Sequence, residues 1–136
     1  MFLIQFDACN RDMWGVGSVG FVLYYDSIVL HKYSGFLDRS YDSNYAEYMA
    51  LINALVFAIS LNIKELYVQG DAKIVINQIN NLCNIKCDRI RPLHKIVNKL
   101  KTNFDVFTIE HIYRRYNNFA DSLANDGLAL YNTIEV

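Results

Sequence analysis

Tyr45 to Leu61 restricts this chain more than any other stretch of it. Ala, Leu, Ile, Val, Phe and Met dominate it, and Glu47 is its single charge. Apolar residues run nearly all round rather than along one stripe, so the segment reads as a buried helix. It is too short to cross a bilayer, which takes about 20 apolar residues. It must therefore sit inside a layered domain, and Glu47 goes in with it. The rest of the chain has the material for such layers. Its 136 residues are 53% hydrophobic, with a mean hydropathy of +0.09, one Pro and six Gly. That composition excludes a disordered segment or a collagen-like repeat and is enough for one sizeable core. No internal repeat or Gly/Ser/Pro linker interrupts it, so residues 1–136 read as a single domain.

Around that helix the elements alternate. Phe2 to Phe6 is a short apolar strand ending at Asp7, and Asn10, Asp12, Gly15 and Gly17 mark residues 8–17 as a turn. Ser18 to Tyr25 and Ile28 to Phe36 are β-branched and aromatic, and Asp26-Ser27 between them signals a hairpin. Ser43-Asn44 reads as the N-cap pair of the apolar helix. Leu66 to Gln69 is a strand closed by Gly70-Asp71, and Ile74, Val75, Ile76 and Ile79 recur at helical spacing. Pro92 suits the first turn of a helix to Leu100 or Lys101. Phe104 to Tyr113 is a strand, and Asn117-Asn118 caps a last helix from Phe119 to about Tyr131. The order β-β-β-α-β-α-α-β-α predicts an α/β domain, a mixed five-stranded sheet flanked by helices.

Net charge is only −1, so attraction to a polyanion cannot come from the molecule as a whole. Ten of the thirteen Lys and Arg nevertheless fall in residues 64–115, against five acids there. A basic middle between acidic ends suits a polyanion held locally. Cys9, Cys83 and Cys87 are an odd count, and no signal peptide opens the chain, so an intracellular, reducing location is expected. Cys83-x3-Cys87 lacks the second pair that a structural zinc would need.

The acids carry the functional reading. Asp7 and Asp71 end the first and fourth strands, Glu47 lies in the first turn of the buried helix, and Asp121 in the first turn of the last. Singly, each would be an ordinary cap or turn residue. Brought together, four carboxylates cannot all ionise without a compensating cation, so convergence would imply a divalent metal. Phe6-Asp7-Ala8-Cys9, S-N-Y-A-E-Y-M-A-L at 43–51, V-Q-G-D-A-K-I-V-I-N-Q-I at 68–79 and R-R-Y-N-N-F-A-D-S-L-A-N at 114–125 resemble the four motif blocks of type 1 ribonuclease H. The resemblance spans Phe2 to about Leu130 and is greatest to the compact, archaeal-like branch, which Ile90-Arg91-Pro92-Leu93 also matches.

It implies a ribonuclease H-like fold and a metal-dependent endoribonuclease cutting the RNA strand of RNA/DNA hybrids to leave 5′-phosphates. Asp7, Glu47, Asp71 and Asp121 would be the catalytic, metal-binding centre. It would hold two Mg²⁺ ions about 3.5–4 Å apart, with Mn²⁺ a possible substitute. By the same resemblance Asp7 bridges the metals and Glu47 also accepts a ribose 2′-OH, the contact that tells RNA from DNA. Asn44, Gln78, Arg114 and Asn117 are the candidate substrate-binding residues. Asn44 reads equally as a helix cap, Gln78 as packing at the core edge, and Arg114 as a phosphate clamp rather than a solvated loop residue. Lys73, Lys86, Arg89, Arg91 and Lys95 would add salt-dependent affinity.

Two positions depart from the family pattern: Ala8 stands where Gly is usual, and Ala72 where Ser is usual. Neither removes a metal ligand. His111 precedes Asp121 at the spacing of the bacterial-type loop histidine, yet its neighbours read as strand, so it is expected to be a packing residue. The expected partners are an RNA/DNA hybrid and, as that branch allows, double-stranded RNA, with no membrane and a monomeric state. The expected location is the cytoplasm, or a nuclear or viral replication site in a eukaryotic host; fourteen Asn suggest an AT-rich genome. A catalytically weak hybrid- or RNA-binding module of the same fold is the alternative.

Overall fold

The computed structural model describes the backbone of residues 1–134 and the side chains of residues 1–129. Its strands are β1 (Phe2–Arg11), β2 (Val16–Tyr25), β3 (Ile28–Leu37), β4 (Glu65–Gly70) and β5 (Val106–His111). Its helices are α1 (Ser43–Ser60), α2 (Lys73–Ile79), α3 (Arg91–Lys101) and α4 (Asn118–Ile134), with a 3-10 turn over Arg114–Tyr116. The expected element order holds. The sheet runs β3-β2-β1-β4-β5, antiparallel across β3, β2 and β1 and parallel across β1, β4 and β5. Asp26 and Ser27 link β2 to β3 with φ of 49° and 71°, the left-handed pair that a two-residue hairpin requires. No helix of the described residues is long and apolar enough to cross a membrane.

Several boundaries differ from the sequence reading. β1 continues through the expected turn to Arg11, because its ladder with β2 runs unbroken from Asp7↔Gly20 to Arg11↔Val16. Only residues 12–15 turn, and Gly15 takes a φ of +64° there. The N-cap of α1 is Asp42, whose carboxylate accepts from the Tyr45 N–H at 2.8 Å; Ser43 and Asn44 lie inside the helix. β5 is shorter than expected because its parallel ladder runs only from Glu65↔Val106 to Gly70↔His111. α4 runs past Tyr131, whose side chain lies outside the described residues.

Alternation along β2 separates two layers. Val19, Phe21 and Leu23 join Ile4, Phe6 and the α1 residues Leu51, Ala54, Leu55 and Ala58 in the main core. Between them, Ser18 and Gly20 face α4. The Ser18 hydroxyl donates to the Ala124 carbonyl, and a Cβ on Gly20 would strike the Ala124 backbone. Glycine there lets α4 sit directly on the sheet. That close seat sets where α4 begins, and with it the position of Asp121.

Candidate metal centre

The site forms where two strands stop keeping company. The β1·β4 ladder ends at Phe6↔Gly70, while β1 goes on beside β2 for five more residues, Asp7 to Arg11. Beyond Gly70 no strand among the described residues flanks β1 on that side, and side chains from both layers can meet in the gap. Asp7 and Asp71, the residues following that last pair, enter it from the sheet. Glu47 enters from the first turns of α1, where the Asp42 cap has started the helix. Carboxylate oxygens of Asp7, Glu47 and Asp71 all lie within 4.8 Å of one another. Asp121, in the first turn of α4, stands outside that group but is near enough to help raise the Asp7 carboxyl.

Burial makes this clustering costly. Glu47 is 6% exposed and Asp7 4%. Both oxygens of Glu47 are buried without a hydrogen-bond donor. Asp7 is better served, since one oxygen accepts from the Ala8 N–H at 2.8 Å. Even so, desolvation first and the Asp71 charge second push the Asp7 carboxyl up to about 7. Burial, then the charge of Asp7, raises Glu47 well above the ordinary carboxylate range. No cationic side chain pairs with any of the three among the described residues. The cluster must therefore hold shared protons or a cation. Hard, oxygen-only, anionic ligands at this spacing, two of their oxygens lacking any donor, fit a divalent cation of the Mg²⁺ type.

The other candidate residues fall in different places. Asn44 is half-buried in the first turn of α1, no longer accounted for as a cap. Gln78 is buried, and its side-chain oxygen accepts from the Tyr48 hydroxyl at 2.7 Å, so it packs at the core edge. Arg114 is exposed in the 3-10 turn, with no ion pair among the described residues. Asn117 is wholly buried, its amide donating to the Phe6 carbonyl at 2.8 Å and to Asp71 at 3.2 Å. This departs from its reading as a substrate contact: both amide hydrogens are engaged inside the protein. His111 ends β5 opposite Gly70, with its ring edge-on to Tyr113, as a strand residue would be.

Lys73, Lys86, Arg89, Arg91 and Lys95 are all exposed. The Arg89 guanidinium lies over the Tyr41 ring at 5.0 Å, next to the α1 cap. Nothing in the sequence pairs those two residues, which come from distant segments. Cys9, Cys83 and Cys87 are free thiols.

Comparisons with known proteins agree with this geometry. Residues 5–127 match the family described as reverse transcriptase-like. Ribonuclease HI of Halobacterium salinarum is 32% identical over 90% of this chain. The chain spans 62% of that relative's length and 35% of the bifunctional protein Rv2228c of Mycobacterium tuberculosis, 30% identical to it. The crystal structure of RNase H1 from H. salinarum superposes with a TM-score of 0.89 at 29% identity, covering 94% of this chain and 97% of that one. The N-terminal RNase H domain of Rv2228c gives 0.90 at 28% identity, covering 99% and 98%. LC11-RNase H1, solved with an RNA/DNA hybrid, shares the fold at a TM-score of 0.88 and 23% identity, over 96% and 99%. The chain therefore belongs to the reverse transcriptase-like family and carries the ribonuclease H fold.

Proposed function

We propose that this chain is a metal-dependent endoribonuclease that hydrolyses the RNA strand of RNA/DNA hybrids. The observation that carries the reading is the Glu47 carboxylate, buried without a donor and within 4.8 Å of Asp7 and Asp71. A structural role would leave such a group costly, whereas a role in binding cations explains its place. Ribonuclease H names among relatives and solved neighbours support the substrate class.

Asp7, Glu47, Asp71 and Asp121 would hold two Mg²⁺ ions, with Mn²⁺ able to replace them. When bound, such ions supply an activated water and charge stabilisation for the departing 3′ oxygen. Asp7, within 4.8 Å of both Glu47 and Asp71, would serve both ions. Glu47 would also accept the ribose 2′-OH, which deoxyribose lacks. Exposed Arg114 is free to take a phosphate of the cleaved strand. Half-buried Asn44 is the polar residue left to touch the hybrid from α1. A monomer working in a reducing intracellular compartment is consistent with the three free thiols.

One gel assay tests the proposal. Labelled RNA/DNA hybrid, double-stranded RNA and double-stranded DNA are each incubated with Mg²⁺, Mn²⁺ or EDTA. The hybrid should be cut in its RNA strand with metal and left whole in EDTA, and double-stranded DNA should survive throughout. Cleavage of double-stranded RNA would widen the substrate class. A hybrid that is bound but never cut with either metal would replace the enzyme by a binding module.

A further inference from the structure

We propose that Asn117 is a positioning residue that aligns the metal-binding acids, and that it does not touch substrate. The inference rests on the metal-centre reading above. Asn117 follows the 3-10 turn and is 0% exposed. Its amide nitrogen has two hydrogens and two acceptors: the Phe6 carbonyl at 2.8 Å and the Asp71 carboxylate at 3.2 Å. The Phe6 carbonyl belongs to the peptide that leads into Asp7, at the last pair of the β1·β4 ladder. Asn117 thus supplies a donor where the ladder has run out. Its own backbone carbonyl accepts from the Asp121 N–H at 3.0 Å, which starts α4 and sets Asp121 one turn further on. One side chain and its peptide are therefore tied to the backbone before Asp7, the carboxylate of Asp71 and the backbone of Asp121.

The amide has one tenable orientation. Turned over, its oxygen would face two acceptors, one of them a carboxylate. In the orientation present, that oxygen is buried with no donor. A buried acceptor left unmet is a cost to folding that the protein retains. The nitrogen's two bonds offset it by holding Asp71 in one rotamer against the repulsion of Asp7. Outer groups that orient ligand carboxylates typically account for about 10–100-fold in metal affinity or activity.

The test uses two neutral variants of the full chain. Asn117→Leu keeps the volume and loses both donors, and Asn117→Ser is shorter and keeps one hydroxyl donor. Calorimetry with Mn²⁺ alone is read beside thermal unfolding in EDTA and hybrid cleavage at varied metal and varied hybrid. Mn²⁺ affinity should fall about 10–100-fold in Asn117→Leu and less in Asn117→Ser. The metal needed for half-maximal cleavage should rise in parallel, with KM for the hybrid at saturating metal little changed. Unchanged Mn²⁺ affinity overturns the proposal, and a raised hybrid KM with normal Mn²⁺ binding makes Asn117 a substrate contact instead. If neither variant folds, its role is structural alone and the proposal falls. A wild-type protein that binds Mn²⁺ without cutting hybrid refutes the proposed activity but leaves Asn117 to be judged on binding. Failure of the wild type to bind Mn²⁺ removes the metal centre itself.

Discussion

Glu47 and the apolar residues Leu51, Ala54, Leu55 and Ala58 all lie deep on α1 and do opposite things to the fold. Leu51, Ala54, Leu55 and Ala58 are 0% exposed against Ile4, Phe6 and Phe21, and their burial favours folding. Glu47 is almost as deep, yet its carboxylate has no donor and faces Asp7 and Asp71. The apolar residues stabilise the protein, and Glu47 imposes a cost that only a proton or a cation can relieve. Burial therefore does not by itself report stabilisation. What a buried group meets decides the sign.

Substitutions should separate the two sharply. The largest effect is expected on activity. Asp71→Asn and Glu47→Gln should each abolish hybrid cleavage while the folded protein becomes slightly more stable without metal, because a mutually repelling charge is gone. Initial cleavage rates beside denaturant unfolding in EDTA check both halves. Wild-type cleavage by either variant would break the contrast at once. Leu51→Ala should do the reverse, costing about 2–5 kcal/mol of stability through the cavity it leaves. Cleavage per folded molecule should stay near the wild-type level. A strong activity loss in the folded fraction of that variant would mean that the apolar residues of the helix also tune the site.

At the site's rim, effects should be smaller. Arg114→Ala should slow turnover by about 10²-fold if the guanidinium meets charge that develops in the transition state. His111→Gln should change turnover little and leave its pH dependence near neutrality intact, since His111 closes the β4·β5 ladder. Single-turnover cleavage by both variants between about pH 6 and 9 reads the two together. If His111→Gln were the slower one, the loop-histidine mechanism would replace the one argued here.

Much of this contrast was already readable from the residues. A nearly all-apolar run with one acid inside it announced α1, although Val56 is exposed, and three of the four acids at element ends, Asp7, Glu47 and Asp71, do come together. Other features were not readable, for physical reasons. Asp42, Ser43 and Asn44 are all good caps, and only the backbone shows which side-chain oxygen meets the Tyr45 N–H. Asn10, Asp12 and the glycines look like a long turn, but pairing with β2 carries β1 through to Arg11. Asn117 has the side chain of a surface contact. Nothing local reveals that its amide lies under α4, bonded to a strand more than a hundred residues away in sequence (111 residues separate it from Phe6). Long-range hydrogen bonds leave no periodicity to read.

The central claim is that the buried carboxylates await divalent cations, and stability against pH with and without Mg²⁺ tests it most directly. Asp7 rises from an ordinary 3.8 to about 7 on folding. Below the lower value both the folded and unfolded states carry the proton, and the buried charge costs nothing. Between the two values the unfolded chain releases the proton and the folded one keeps it, so stability falls as pH rises. Above the upper value the full cost is present, on the order of 4 kcal/mol by linkage. In EDTA the wild type should therefore lose stability, from this site, between about pH 4 and pH 7, while Glu47→Gln should lose less. Saturating Mg²⁺ should restore the wild type at about pH 8 and have little effect near pH 4, where protons occupy the site. A wild type indifferent to Mg²⁺ at about pH 8, or a gain equally large in Glu47→Gln, would contradict the account.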